Sequence, residues 1–175
     1  FHKHSGPALV FDDYPSMKKA IEDETLDVTP DHVLVLRNAG PLGGPGMPEW
    51  GMLPIPKKLI KQGVRDMLRL SDARMSGTSY GACVLHVAPE SYVGGPLALL
   101  KTGDIISIDV EKRSLSMEVP EEELASRRAE GVQTKPRYER GQGWVAAHQM
   151  RQATYGRDLY FIQTDLVTPV PVPHC

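Results

Sequence analysis

Val33-Leu34-Val35-Leu36 decides the class of fold. Successive strand side chains point to opposite faces, and here neither face is polar, so the run reads as a strand covered on both sides. Toward the start of the chain, Ala8-Leu9-Val10-Phe11 reads as a second strand, closed by Asp12-Asp13 and Pro15. Ser16 then caps a predicted helix with Met17, Ala20 and Ile21 on one face. Going forward, five glycines and five prolines fall between Gly40 and Pro56, which excludes a helix or a central strand there. Pro56 suits the first position of a helix whose inner stripe is Leu59, Ile60, Val64, Met67 and Leu68, with Lys57, Lys58, Lys61 and Arg65 opposite. A second glycine-rich turn, Ser76-Gly77-Thr78-Ser79-Tyr80-Gly81, leads into Cys83-Val84-Leu85-His86-Val87.

After the break at Gly94-Gly95-Pro96, Ile106, Ile108 and Val110 alternate with polar residues, as do Leu115, Met117 and Val119, which predicts an antiparallel hairpin. Glu121–Glu130 is helical, acidic at its start and basic near its end, the order the helix dipole favours. A last helical piece is expected over 144–151, and 168–175 is an extended, peripheral tail. Strands and helices interleave, so the expected class is α/β with a mixed sheet. The Val33–Leu36 strand and the hairpin should share that sheet, with both glycine-rich loops opening on one side.

With 175 residues the natural expectation is a single domain, and 41% hydrophobic with 24% charged residues is ordinary globular composition. A net charge of -2 gives no electrostatic case for nucleic acid or an anionic membrane as partner. Aromatic content of 6% is too low for a base-stacking platform. Cys83 and Cys175 form neither a metal-ligand pair nor a disulfide scaffold, which suggests a reducing compartment, cytoplasmic or an organellar matrix. No apolar run approaches the ~20 residues that span a bilayer, and no signal peptide is visible. The chain opens on Phe1 and His2-Lys3-His4, which read as leftover tag, a mobile end or the start of a fragment.

Two loops hold polar residues among glycines, where backbone can approach a ligand. The first presents Glu49, either a solvated carboxylate or an oxygen ligand for a hard cation such as Mg²⁺. The second offers Ser76, Thr78, Ser79 and Tyr80, either as turn hydroxyls bonded to backbone or as a hydroxyl activated beside a substrate. Gly77-Thr78-Ser79-Tyr80-Gly81 also matches the G-x-S-x-G elbow of serine hydrolases, with Ser79 as nucleophile. The elbow needs a buried strand directly before it, and Leu68-Arg69-Leu70-Ser71-Asp72-Ala73-Arg74 is short and charged. His86, His148 and His174 show no zinc spacing, and His86 among Val84, Leu85 and Val87 reads as a core histidine.

The runs Val35-Leu36-Arg37-Asn38-Ala39-Gly40-Pro41, Pro45-Gly46-Met47-Pro48-Glu49, Ser71-Asp72-Ala73-Arg74-Met75-Ser76-Gly77-Thr78, His86-Val87-Ala88-Pro89-Glu90 and Gly94-Gly95-Pro96-Leu97-Ala98-Leu99 resemble the dihydroxy-acid and sugar-acid dehydratase family. The resemblance covers nearly the whole chain and corresponds to the family's C-terminal third. It implies that residues 1–175 are one C-terminal swivelling β/β/α domain, barrel-like and similar to the mobile domain of aconitase-type enzymes. It implies a hydro-lyase that turns a 2,3-dihydroxy or sugar acid into a 2-keto-3-deoxy acid. Ser76 would be the base, Thr78 would line the site, and Glu49 would reach a Mg²⁺. The iron–sulfur cluster and most Mg²⁺ ligands would belong to a larger N-terminal domain, the partner of this one within a full-length homo-oligomer. The isolated chain is therefore expected to be inactive. Ala73-Arg74-Met75-Ser76-Gly77-Thr78 is similar to the sugar-acid branch, pentonate dehydratases above all. The alternatives are a stand-alone swivelling subunit that docks on a cluster-bearing partner, and the Ser79 hydrolase.

Overall fold

In the computed structural model, residues 2–47, 49–50, 53–77, 79–131, 138–156 and 158–160 are described. The elements run β1 (Lys3–Phe11), α1 (Tyr14–Glu22), β2 (Val33–Leu36), α2 (Lys57–Lys61), β3 (Arg69–Ser71), β4 (Cys83–Val84), α3 (Pro96–Leu99), β5 (Ile105–Asp109), β6 (Ser114–Met117), α4 (Glu121–Glu130) and α5 (Gly141–Gln149). The strands form one six-stranded mixed sheet in the order β4-β3-β2-β1-β5-β6, curled into half a barrel. None of the described helices is long and apolar enough to cross a membrane.

β1 is longer than its apolar run because it serves two neighbours. Lys3 to Pro7 pair antiparallel with β5, and Ala8 to Phe11 pair parallel with β2. Lys3 and His4 of the supposed tag or mobile end are therefore sheet, and the His4 ring is within 2.9 Å of the Asp31 carbonyl. β2 is buried throughout. Leu34 and Leu36 pack with Met17, Ile21, Leu53 and Leu59, while Val33 and Val35 pack with Leu68, Leu70, Leu97 and Ile106 on the other face. Two cores of this kind require apolar side chains at every position, as the sequence has.

The hairpin pairs Ile106 with Met117 and Ile108 with Leu115. Helix α4 has its predicted bounds, and α5 begins a few residues earlier than expected. The cap of α1 is Asp13, not Ser16: its carboxylate accepts from the Ser16 amide at 2.7 Å, and Pro15 lies in the first turn. α2 stops at Lys61, so the predicted longer stripe is wrong. Ile60 is exposed, and Met67 and Leu68 enter opposite cores, the alternation of extended chain rather than of a helix. After the second glycine-rich turn, only Cys83 and Val84 of the following run are strand. The predicted tail, 168–175, lies outside the described residues.

Candidate active site at the carboxyl ends of the parallel strands

β1, β2 and β3 run parallel, so Phe11, Leu36 and Ser71 end at one edge of the sheet. Both glycine-rich loops leave from that edge, the usual location of ligand sites in α/β sheets. Three fully buried charged side chains, Arg69, Asp72 and Glu90, build the floor beneath the loops. Each hydrogen-bonds loop backbone and one polar side chain, since buried charge must be satisfied when water is excluded.

Asp72 follows β3 directly. Its carboxylate accepts from the Ala39 amide at 3.1 Å, from the Ser91 amide at 2.9 Å and from the Ser91 hydroxyl. Asn38, in the left-handed region at φ 62°, turns the chain so that its own amide reaches the Ser91 hydroxyl at 2.7 Å. Ser71 adds a hydroxyl that donates to the Leu36 carbonyl at 2.6 Å and accepts from the Ala73 amide.

Glu90 lies under the first loop. It accepts from Leu42 and Gly43 amides at 2.9–3.1 Å and from the Gln152 side chain at 2.7 Å. Burial pushes its carboxyl up, against the lowering effect of those amides. The loop comes so close that a Cβ on Gly40 would stand 2.6 Å from a Glu90 carboxylate oxygen, so only glycine fits there.

Glu49 is exposed on the first loop, and its backbone forms a parallel bridge with Arg74. The Trp50 amide donates to the Arg74 carbonyl at 3.3 Å, and the Trp50 ring stacks on Tyr14 at 5.5 Å between centroids. The two loops thus meet two residues before Ser76. Ser76 is half-buried, and its carbonyl accepts from the Ser79 amide at 3.0 Å in a tight turn. Thr78 lies outside the described residues.

Sequence reasoning missed Arg69, Asp72 and Glu90. The charge in Leu68–Arg74 was the argument against a buried strand, yet β3 is buried along its whole length, Arg69 included. Ser79 nevertheless has no elbow geometry. It lies several residues beyond β3, and the chain continues into β4 instead of a helix. Among the described residues its buried hydroxyl has no hydrogen-bond partner. His86 is exposed, not a core residue, with its backbone at φ 57°.

For metal chemistry, no three His, Cys, Asp or Glu side chains gather among the described residues. Glu49, exposed on its loop, offers a hard oxygen donor that would fit one protein ligand of a Mg²⁺. Cys83 is a half-buried free thiol pushed up by burial.

An α/β domain with its loops at this edge matches a known family. Residues 1–157 match the family described as dihydroxy-acid/6-phosphogluconate dehydratase C-terminal, and the chain belongs to it. Over 98% of its length it is 56% identical to a 6-deoxy-6-sulfo-D-gluconate dehydratase of Pseudomonas putida, covering 30% of that protein. Over 91% of its length it is 44% identical to an L-arabinonate dehydratase of Rhizobium leguminosarum bv. trifolii, covering 28% of it. A dihydroxy-acid dehydratase of Ralstonia nicotianae is 49% identical over 78% of the chain and is covered to 24%. The chain spans less than a third of the length of these relatives.

Proposed function

We propose that this domain supplies the base and one metal ligand of a sugar-acid hydro-lyase. The substrate is a pentonate or hexonate bearing hydroxyls at C2 and C3, and the product is a 2-keto-3-deoxy acid. The names of its relatives support this substrate class. The observation that carries the reading is the bridge between Glu49 and Arg74, which joins a carboxylate loop to the Ser76 loop.

Ser76 Oγ, as the alkoxide, takes the C2 proton. The C–H electron pair forms the C2–C3 double bond, the C3 hydroxyl leaves, and one water is lost overall. The resulting enol then tautomerises to the keto acid. Backbone N–H groups of the glycine-rich turn stabilise the alkoxide and orient the substrate. Glu49 would hold Mg²⁺, whose positive charge beside the substrate would make the C2 proton more acidic. We place the ligands of an iron–sulfur cluster outside the described residues of this domain.

The test uses the complete enzyme that carries this domain, assayed for 2-keto-3-deoxy acid from a panel of aldonic acids. Glu49→Gln is expected to raise the Mg²⁺ concentration needed for half-maximal rate, with added Mg²⁺ restoring part of the activity. No keto acid from any sugar acid, or a Mg²⁺ dependence unchanged in Glu49→Gln, contradicts the reading.

A further inference from the structure

Arg69 occupies the first position of β3, between the core residues Leu68 and Leu70, and is fully buried. A guanidinium at such a place has to be neutralised and hydrogen-bonded. Its Nη2 donates to Asp66 Oδ1 at 2.8 Å and to the Tyr80 carbonyl at 3.0 Å. Its Nη1 donates to the Leu53 carbonyl at 2.8 Å. Leu53 follows Glu49 on the first loop, and Tyr80 follows Ser76 on the second, each by four residues. The loops are already joined at Glu49 and Arg74. The guanidinium closes the other end, so Ser76 lies within a ring fixed at two points.

Gly81 is an independent sign that the chain accommodates this group. Its φ is +97°, and a Cβ there would stand 2.0 Å from Arg69 Nη2 and 2.4 Å from Asp66 Oδ1. Asp66 completes the clamp by accepting from the Ala82 amide at 2.9 Å through its other oxygen.

We infer that Arg69 is a positioning residue for the dehydration: one buried guanidinium sets the spacing of the Glu49 loop from the Ser76 loop. This rests on the reading of Ser76 and Glu49 given above. Arginine is required because its planar fork reaches two carbonyls in different directions at once. A lysine keeps the charge but has one nitrogen to share between them.

The experiment compares wild type and Arg69→Lys in the complete enzyme, using hydrogen exchange over residues 49–55 and 76–82 together with steady-state kinetics. Exchange is expected to accelerate in both stretches while the β5–β6 hairpin stays as protected as in wild type. Turnover is expected to fall by up to about 10²-fold, the scale of an ångström's misplacement of reacting groups. The Mg²⁺ requirement should rise with it. A second variant, Gly81→Ala, pushes on the same guanidinium from outside and is expected to loosen the same two stretches. Loosening of one loop alone or of neither, or loosening of both with kcat and Mg²⁺ dependence intact, overturns the inference. A wild-type enzyme inactive on every sugar acid removes the functional reading beneath it, whatever the exchange pattern.

Discussion

Around the parallel strands β2 to β4, the charged groups Arg69, Asp72 and Glu90 are sealed from water and hold loop backbone. Beside the antiparallel strands, Arg127 grips Asp104 in a bidentate pair at 2.6 and 3.1 Å and Glu123 at 2.8 Å, while Lys3 faces Asp109 at 3.5 Å. The Arg127 and Asp104 side chains are 9% and 13% exposed, and Arg127 also donates to the Leu99 carbonyl at 2.8 Å, whereas Lys3 lies at the surface, where such pairs contribute little. The charges around β2 to β4 convert loops without regular hydrogen bonding into fixed structure. The loops held by buried charge are the ones that carry Glu49 and Ser76.

That contrast can be broken by removing one group from each side. Asp72→Ala strips acceptors from the Ala39 and Ser91 amides and the Ser91 hydroxyl. It should cost about 3 kcal/mol or more, since each buried polar group left unmet costs roughly 1–3 kcal/mol. Arg127→Ala should cost less, about 1.5 kcal/mol, because the Asp104 and Glu123 side chains, 13% and 46% exposed, still reach water while the Ser91 and Ala39 groups around the fully buried Asp72 do not. Urea midpoints of the two variants provide the check, and equal losses would erase the distinction between the halves.

A smaller effect sharpens it through pH. Burial raises Glu90, so the folded state holds its proton more tightly than the unfolded state does. Stability from this group therefore falls as pH rises above the ordinary carboxylate range. Asp104 has the opposite sign. Burial tends to raise it, but the Arg127 hydrogen bonds and charge hold it below its usual value. Its contribution is present above the ordinary carboxylate pKa and is lost as pH falls through the folded value. Urea unfolding from about pH 2 to pH 7 spans both windows. Glu90→Gln is expected to remove the fall on the rising side, and Asp104→Asn the loss on the acid side. If both variants flatten the same limb, the two carboxylates do not differ as described.

Much of this was legible in the sequence where local pattern and tertiary role agree. The doubly covered Val33–Leu36 strand, the β5–β6 hairpin and α4 follow directly from apolar run, alternation and end charges. The misses share a physical cause. Met67 and Leu68 fit a helical stripe as well as a strand approach, and Gly63 at φ +86°, just beyond α2, does not announce itself in a periodicity. The charge on Arg69 argued against burial because its partners, the carbonyls of Leu53 and Tyr80, come from distant parts of the chain. Asp72 reaching Ala39 and Glu90 reaching Gly43 are likewise contacts that no spacing encodes. Glu49 and Ser76 stood out early as polar residues among glycines, reinforced by family resemblance, but their loops' junction at Arg74 needed the fold.

The central claim is that Ser76 supplies the base, and comparing two serines of one loop tests it most directly. In the complete enzyme acting on a sugar acid, Ser76→Ala should lower kcat by ~10²–10⁴-fold, the usual contribution of a positioned base. KM and bound Mg²⁺ should stay close to wild type, since the role proposed for the hydroxyl is to take a proton and not to hold a metal. Ser79→Ala should turn over normally, because its buried hydroxyl has no hydrogen-bond partner to lose among the described residues. Full activity in Ser76→Ala beside an inactive Ser79→Ala would contradict the account.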